Sequence, residues 1–243
     1  NPYIFKQIND YLKTGKYEIH CLSINYYGDP HEYQGMKDLY CYPMVGDPFG
    51  KNRLFPLLMQ VKPQLLFTIN DYDAVGHIPQ ILMEYKEKTK LPIRWLTHFP
   101  VDGSPIYPEY VEFLKRFVDK PVVISKFGQE QLTSVDPTFV IDQIYHGVDT
   151  DVFKELPSEF VHKQKEGMGN KFTVIAVGVN QLRKQYPVML EAFAAFAKDK
   201  EDVLLLLHTQ RNLSVGWNLD KLIRLFNIGN KVAFTAGLNG ITG

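Results

Sequence analysis

The stretch Val174-Ile-Ala-Val-Gly-Val-Asn-Gln-Leu-Arg-Lys-Gln-Tyr-Pro-Val-Met-Leu-Glu-Ala-Phe193 decides the fold. An apolar run reads as a buried strand ending at Gly178, and a polar loop follows. Pro187 then stands where the first turn of a helix tolerates a missing amide hydrogen. In an open parallel sheet, this turn from strand to helix is where ligands bind, because free backbone N–H groups of the helix face the strand's carboxyl end. Arg183 and Lys184 lie just ahead of the helix, a pairing suited to a diphosphate. A guanidinium grips phosphate in two places and an ammonium adds a point charge. An Arg-Lys pair in a loop is by itself an ordinary solvated feature; its position after a strand is what points to an anion.

Outward from this stretch, short β-branched or aromatic runs alternate with helix-period segments, the pattern of βαβ units and parallel sheets. Strands are expected over 17–24, 39–44, 64–69, 93–97, 122–125, 139–145, 172–177, 203–208 and 232–235. Tyr107, Tyr110, Val111, Leu114, Phe117 and Val118 recur at helical spacing and mark one core-facing stripe, and 188–197 and 219–226 repeat the pattern. From 149 to 170 the rhythm breaks around Pro157, Gly167, Gly169 and the polar run 162–166, which reads as a linker. The expected plan is an α/β protein of two Rossmann-like domains, 1–148 and 171–243. The chain opens at Asn1 inside a helical pattern, so it is read as part of a longer chain with both domains incomplete.

Two further segments carry a resemblance. Ile144-Tyr-His-Gly-Val-Asp-Thr-Asp-Val-Phe153 is similar to the segment that closes the first domain of the family-four retaining glycosyltransferases, which have the GT-B fold. Val122-Val-Ile-Ser-Lys-Phe-Gly128 resembles the last first-domain strand of that family with its following helix. Gly178 through Lys184, the helix ending Leu190-Glu-Ala-Phe193, and the run 203–208 then follow in the family's order. The resemblance implies transfer of a sugar, with retention and without a metal or other cofactor, from a nucleotide diphosphate sugar to a carbohydrate or lipid-linked acceptor. It assigns Lys184 to the donor diphosphate; Arg183 is expected to assist in catalysis from across the loop, Asn180 to hydrogen-bond phosphate or sugar, and Gly178 and His208 to lie on the donor side. The family usually has arginine directly after the glycine; here that position is Val179. A non-catalytic member that binds nucleotide or glycan as a partner subunit is the alternative.

The first-domain candidates follow from strand ends. Asp71 follows the run 64–69, and His98 and Asp102 follow 93–97, so all three are expected on one sheet edge, serving the acceptor. Asp71-Tyr72-Asp73 also spells Asp-x-Asp, a pattern suited to a divalent metal and a diphosphate. Asp149-Thr150-Asp151 spells it too, inside the expected linker, and no metal is assigned. Tyr26, Tyr27, Tyr33, Tyr40 and Tyr42 read as half-buried sheet packing.

Composition limits the partners. Lys plus Arg equal Asp plus Glu at 27 each, so no overall field draws nucleic acid, and any anion must be captured locally. A seat at a membrane surface stays open, although no apolar run is long enough to span a bilayer. The only cysteines, Cys21 and Cys41, form no CxxC pattern and give no support for a disulfide framework or a zinc site, so a reducing cytoplasmic setting is expected.

Overall fold

The structure, a computed structural model, describes residues 13–23, 26, 28, 31–32, 39–44, 46–47 and 49–235. The helical pattern expected at Asn1, together with Tyr27 and Tyr33, lies outside these residues. The chain divides into two compact units, Asn1–Phe153 and Lys154–Gly243.

The first unit contains two sheets among the described residues. In one, β1 (Ile19–Ser23) pairs parallel with β3 (Leu39–Pro43), and β2 (His31–Glu32) pairs antiparallel with β3. Tyr40 and Tyr42 lie in β3, half-buried and buried respectively. Helix α1 (Lys51–Val61) follows. Asp47 accepts hydrogen bonds from the backbone N–H groups of Phe49, Lys51 and Asn52 at 3.0, 2.9 and 3.0 Å. These bonds serve the entry to α1, and the one from Asn52 does most to hold the Asp47 carboxyl below its usual range.

The second sheet is entirely parallel, in the order β4 (Leu65–Ile69), β5 (Arg94–Phe99), β6 (Lys120–Val123), β7 (Asp142–Gln143). Its helices are α2 (Tyr72–Val75), α3 (Ile78–Thr89), α4 (Pro108–Phe117) and α5 (Lys126–Val135). Trp95, Thr97 and Phe99 of β5 project to the buried face, where Leu54, Leu58, Leu82, Tyr85, Val111, Leu114 and Leu132 bring four helices onto one core. Two of the polar groups inside it are matched through Thr68: the indole N–H of Trp95 donates to Thr68 Oγ1 at 3.1 Å, and Thr68 bonds Thr97 at 2.9 Å. Helix α4 has Pro108 in its first turn, Glu109 at the positive end of its dipole, and Lys115 and Arg116 at the negative end.

The second unit has one parallel sheet of three strands among the described residues, in the order β10-β9-β8. Helix α6 (Ser158–Gly167) comes first, then β8 (Phe172–Val177), a 3-10 turn at Leu182–Lys184, α7 (Tyr186–Ala197), β9 (Val203–His208), α8 (Leu219–Leu225) and β10 (Val232–Phe234). Tyr186, Leu190 and Phe193 of α7 and Leu219 and Ile223 of α8 close over Val203, Leu205 and Leu207. Lys231 donates its ammonium to the carbonyls of Ala197 and Lys200, both at 2.7 Å, satisfying acceptors left at the end of α7.

Several expected boundaries shift. The strand expected over 122–125 runs instead from Lys120 to Val123, because Ser125 leaves the ladder to cap α5, its hydroxyl accepting from Gly128 N at 3.1 Å. The strand expected over 139–145 shrinks to two residues, since Phe139 and Ile141 bury their side chains outside the ladder. The polar run 162–166, expected in a linker, is helical within α6, which buries no side chain. Helices α1 and α3 add to those read from sequence, although Ile78, Leu82 and Tyr85 carry the right spacing.

Candidate functional site

The carboxyl end of β8 is a braced loop with two exposed cations on it. The buried Tyr186 phenol donates to the Gly178 carbonyl at 2.9 Å, tying the end of the strand to the first residue of α7. Asn180 is completely buried. Its Nδ2 donates to the carbonyls of Gln210 and Trp217 at 3.2 and 2.7 Å, and its Oδ1 accepts from Trp217 N at 2.9 Å. Both amide hydrogens and one carbonyl lone pair are thereby used, so Asn180 holds the loop after β8 to the loop after β9. The Trp217 indole adds a bond to the Leu182 carbonyl at 3.3 Å. Gly216 is required here: a Cβ on it would lie 2.2 Å from the Asn180 carbonyl oxygen.

On this brace stands the 3-10 turn with Arg183 and Lys184, both exposed. Among the described residues neither makes an ion pair. Gln185 follows in the left-handed conformation, φ 50°, and no side chain caps α7. Pro187 has no amide hydrogen and Val188 N donates to the Gln185 carbonyl at 3.1 Å, so the first turn offers this edge chiefly the positive potential of the helix end. The parallel register sets His208 beside Val177. His208 is exposed and its Nδ1 lies 2.8 Å from Thr235 Oγ1. Arg211, also past β9, is already engaged: it stands 3.4 Å from an Asp220 oxygen and 4.3 Å from the centre of the Phe234 ring.

Thr209 is a residue the sequence did not single out. It is 5% exposed, and among the described residues its hydroxyl has no hydrogen-bond partner. A buried hydroxyl without a partner costs stability, and this one sits one residue beyond β9, at the same edge as Gly178. Its only sequence signal is a polar residue directly following five apolar ones and a histidine.

In the first unit, Asp71, His98 and Asp102 share the carboxyl edge of the β4–β5 pair. Asp71 and Asp102 are exposed. His98, expected after its strand, lies within β5. Its Nε2 is 2.8 Å from the Ile144 carbonyl. A carbonyl only accepts, so Nε2 carries the proton, and Nδ1 is the acceptor in the neutral ring. The ring also meets His146 edge-on, 5.0 Å between centroids. These contacts fasten the segment after β7 to the end of β5. Further along, Asp149 Oδ1 accepts from Asp151 N at 3.0 Å, so this second Asp-x-Asp has a local turn bond. The Asp73 side chain lies outside the described residues. Among the described residues no three His, Cys, Asp or Glu side chains gather to hold a metal, and no helix is long and apolar enough to cross a membrane.

The sequence matches no protein-family model and no curated protein. Solved structures do match. A glycosyltransferase from Rickettsia africae is similar at a TM-score of 0.60 and 17% identity, over 94% of this chain and 62% of that one. HepE from Anabaena, in complex with UDP, is similar at 0.54 and 16%, over 81% and 55%. An E. coli structure described as trehalose-6-phosphate bound with UDP-2-fluoro glucose gives 0.52 and 10%, over 88% and 65%. The chain thus spans less than two thirds of each. At these identities the likeness concerns the fold: an α/β protein with parallel sheets flanked by helices, matching GT-B structures.

Proposed function

We propose that this chain carries the donor- and acceptor-binding edges of a retaining glycosyltransferase of the family-four type, using a nucleotide diphosphate sugar. The observation that carries the reading is the turn Leu182–Lys184: two exposed cations without carboxylate partners among the described residues, braced from beneath by a buried asparagine, at the mouth of an uncapped helix. A diphosphate on this edge meets Arg183, Lys184 and the positive end of α7. As the sugar–phosphate bond breaks, negative charge grows on the departing phosphate, and fixed positive groups aimed at it lower the barrier without a metal. Gly178 lets the ligand approach the end of the strand, and His208 and the buried Thr209 hydroxyl offer hydrogen bonds on the donor side. In the first unit, Asp71, Asp102 and the free Nδ1 of His98 hydrogen-bond hydroxyls of a carbohydrate or lipid-linked acceptor. The nucleotide-bound neighbours, HepE with UDP and the E. coli protein with UDP-2-fluoro glucose, support a nucleotide-sugar donor and favour uridine among donors to try first.

Calorimetry with UDP, GDP and ADP, then release of nucleotide from the matching sugar donor with and without EDTA, tests this. Binding followed by EDTA-resistant turnover is expected; absence of binding by all three removes the donor assignment. One observation favours a second reading, a non-catalytic nucleotide or glycan binder acting as a partner subunit. Val179, 56% exposed, stands where the family has arginine and adds no charge beside Gly178. Nucleotide binding without any turnover selects that reading.

A further inference from the structure

The two cysteines, twenty positions apart in the sequence, are direct register partners: Cys21 of β1 is paired with Cys41 of β3 in a parallel ladder. Partners in a parallel pair project to the same face, and neighbouring strands lie about 4.8 Å apart. The adjacent pair shows that side chains here do meet, since His20 and Tyr40, facing the other way, stack at 4.9 Å between centroids. On the cysteine face, Ser23 donates its hydroxyl to Cys21 Sγ at 3.4 Å. Burial, and then Cys21, push the Cys41 thiol's pKa up, with nearby Ser23 partly offsetting the rise. The backbone spacing falls inside the window of about 4.4–6.8 Å between α-carbons that a disulfide spans. Access is unequal, Cys21 being half-buried and Cys41 only 5% exposed.

We propose that Cys21 and Cys41 form an oxidisable dithiol that closes to an intramolecular disulfide and latches β1 to β3. With a peroxide as the oxidant, the accessible Cys21 thiolate attacks one peroxide oxygen, giving a sulfenic acid and releasing hydroxide. The Cys41 sulfur, losing its proton, then attacks the Cys21 sulfur and displaces a second hydroxide. Overall two thiols and one hydrogen peroxide become one disulfide and two waters: the sulfurs are oxidised and the peroxide oxygens reduced. Burial keeps Cys41 in the thiol form until its neighbour is activated, so the order of attack follows from access.

The native protein is treated with hydrogen peroxide, and free thiols are alkylated under denaturing conditions. Intact mass and a non-reducing peptide map are then read. The expected result is a monomer that has lost two hydrogens, with the peptides containing Cys21 and Cys41 joined and separable by dithiothreitol. Closure is expected at least about tenfold faster in the native protein than in denaturant, because the ladder holds the sulfurs together. Cys41→Ser is expected to leave Cys21 oxygenated instead of bridged, and unchanged circular dichroism of the reduced variant certifies its fold. Oxygenated Cys21 beside an alkylatable Cys41 in the unmutated protein overturns the proposal. So does a dimer joined through Cys21, or closure no faster than in denaturant.

Discussion

At the carboxyl edge of β8 the exposed charges are Arg183 and Lys184, whereas at the edge of β4 and β5 they are Asp71 and Asp102, with His98 tied to a carbonyl. Both edges come from the same parallel strand-to-helix arrangement, so backbone geometry does not distinguish them. The side chains do. The basic edge suits a pyrophosphate, and the acidic edge repels one and suits neutral hydroxyl groups, which carboxylates accept from. The bracing differs as well. The basic loop hangs on a buried asparagine and a tryptophan, while the acidic edge is fastened through a histidine to the segment after β7. If this contrast is functional, substitutions at the two edges separate nucleotide affinity from stability.

The strongest test removes the basic edge. Replacing both Arg183 and Lys184 by Ala is expected to weaken nucleotide diphosphate binding about 100-fold or more, since each charge-assisted bond is worth about 1.5–3 kcal/mol. Lys184→Ala alone is expected to lower binding and turnover more than tenfold, or about 1.4 kcal/mol, with the melting temperature unchanged. Normal affinity in the double variant would erase the distinction between the edges. Next comes the brace: Asn180→Ala leaves the Trp217 amide and two carbonyls without their partner and is expected to cost about 2–3 kcal/mol in denaturant unfolding. Nucleotide affinity should fall with it, and unchanged stability would show that the loops do not depend on this residue.

Thr209→Val is subtler. Removing an unsatisfied buried hydroxyl while keeping the shape is expected to leave stability unchanged or raise it by about 1 kcal/mol. Donor affinity should nonetheless drop severalfold if that hydroxyl serves the ligand. Equal affinity by calorimetry would make Thr209 a packing residue.

The smallest effect lies away from both edges, in the first unit, where Lys115 holds the Asp136 carboxyl at 2.8 Å and Thr138 adds two further bonds. Asp136 falls from its ordinary 3.8 to about 2, chiefly through the bond from Lys115. A carboxyl lowered on folding stabilises above its unfolded pKa, and that contribution disappears as pH falls through the folded value. Asp136→Asn should therefore lower stability slightly at neutral pH, where the carboxylate contributes, and flatten the acid dependence of unfolding between about pH 4 and pH 2, where the unmutated chain loses that contribution. An unaltered acid profile would mean the pair contributes nothing.

Much of the architecture was legible in local pattern. Strand β8, the loop with Arg183 and Lys184, and the start of α7 near Pro187 all follow from a buried run, a polar interruption and a helix-compatible proline within about fourteen residues. Strand ends were read less well where another bond outcompeted the ladder, as at Ser125, or where apolar residues packed without pairing, as at Phe139 and Ile141. The role of Asn180 was not legible, because its partners lie 30 and 37 positions away. Nothing near Asn180 in sequence distinguishes a phosphate ligand from a buried clamp.

The order of residues alone therefore determined the alternation of strands and helices and the charge on each strand-to-helix turn, since both depend on neighbours a few positions apart. Tertiary structure alone decided which polar groups are already matched and which face outward unpaired. It matched Asn180 and Arg211 with protein partners and, among the described residues, left Lys184 without an ion pair and the Thr209 hydroxyl without a hydrogen bond. It also placed Cys21 opposite Cys41. Such matches depend on distance in space between segments far apart in the chain, and that distance exists only once the sheets have formed.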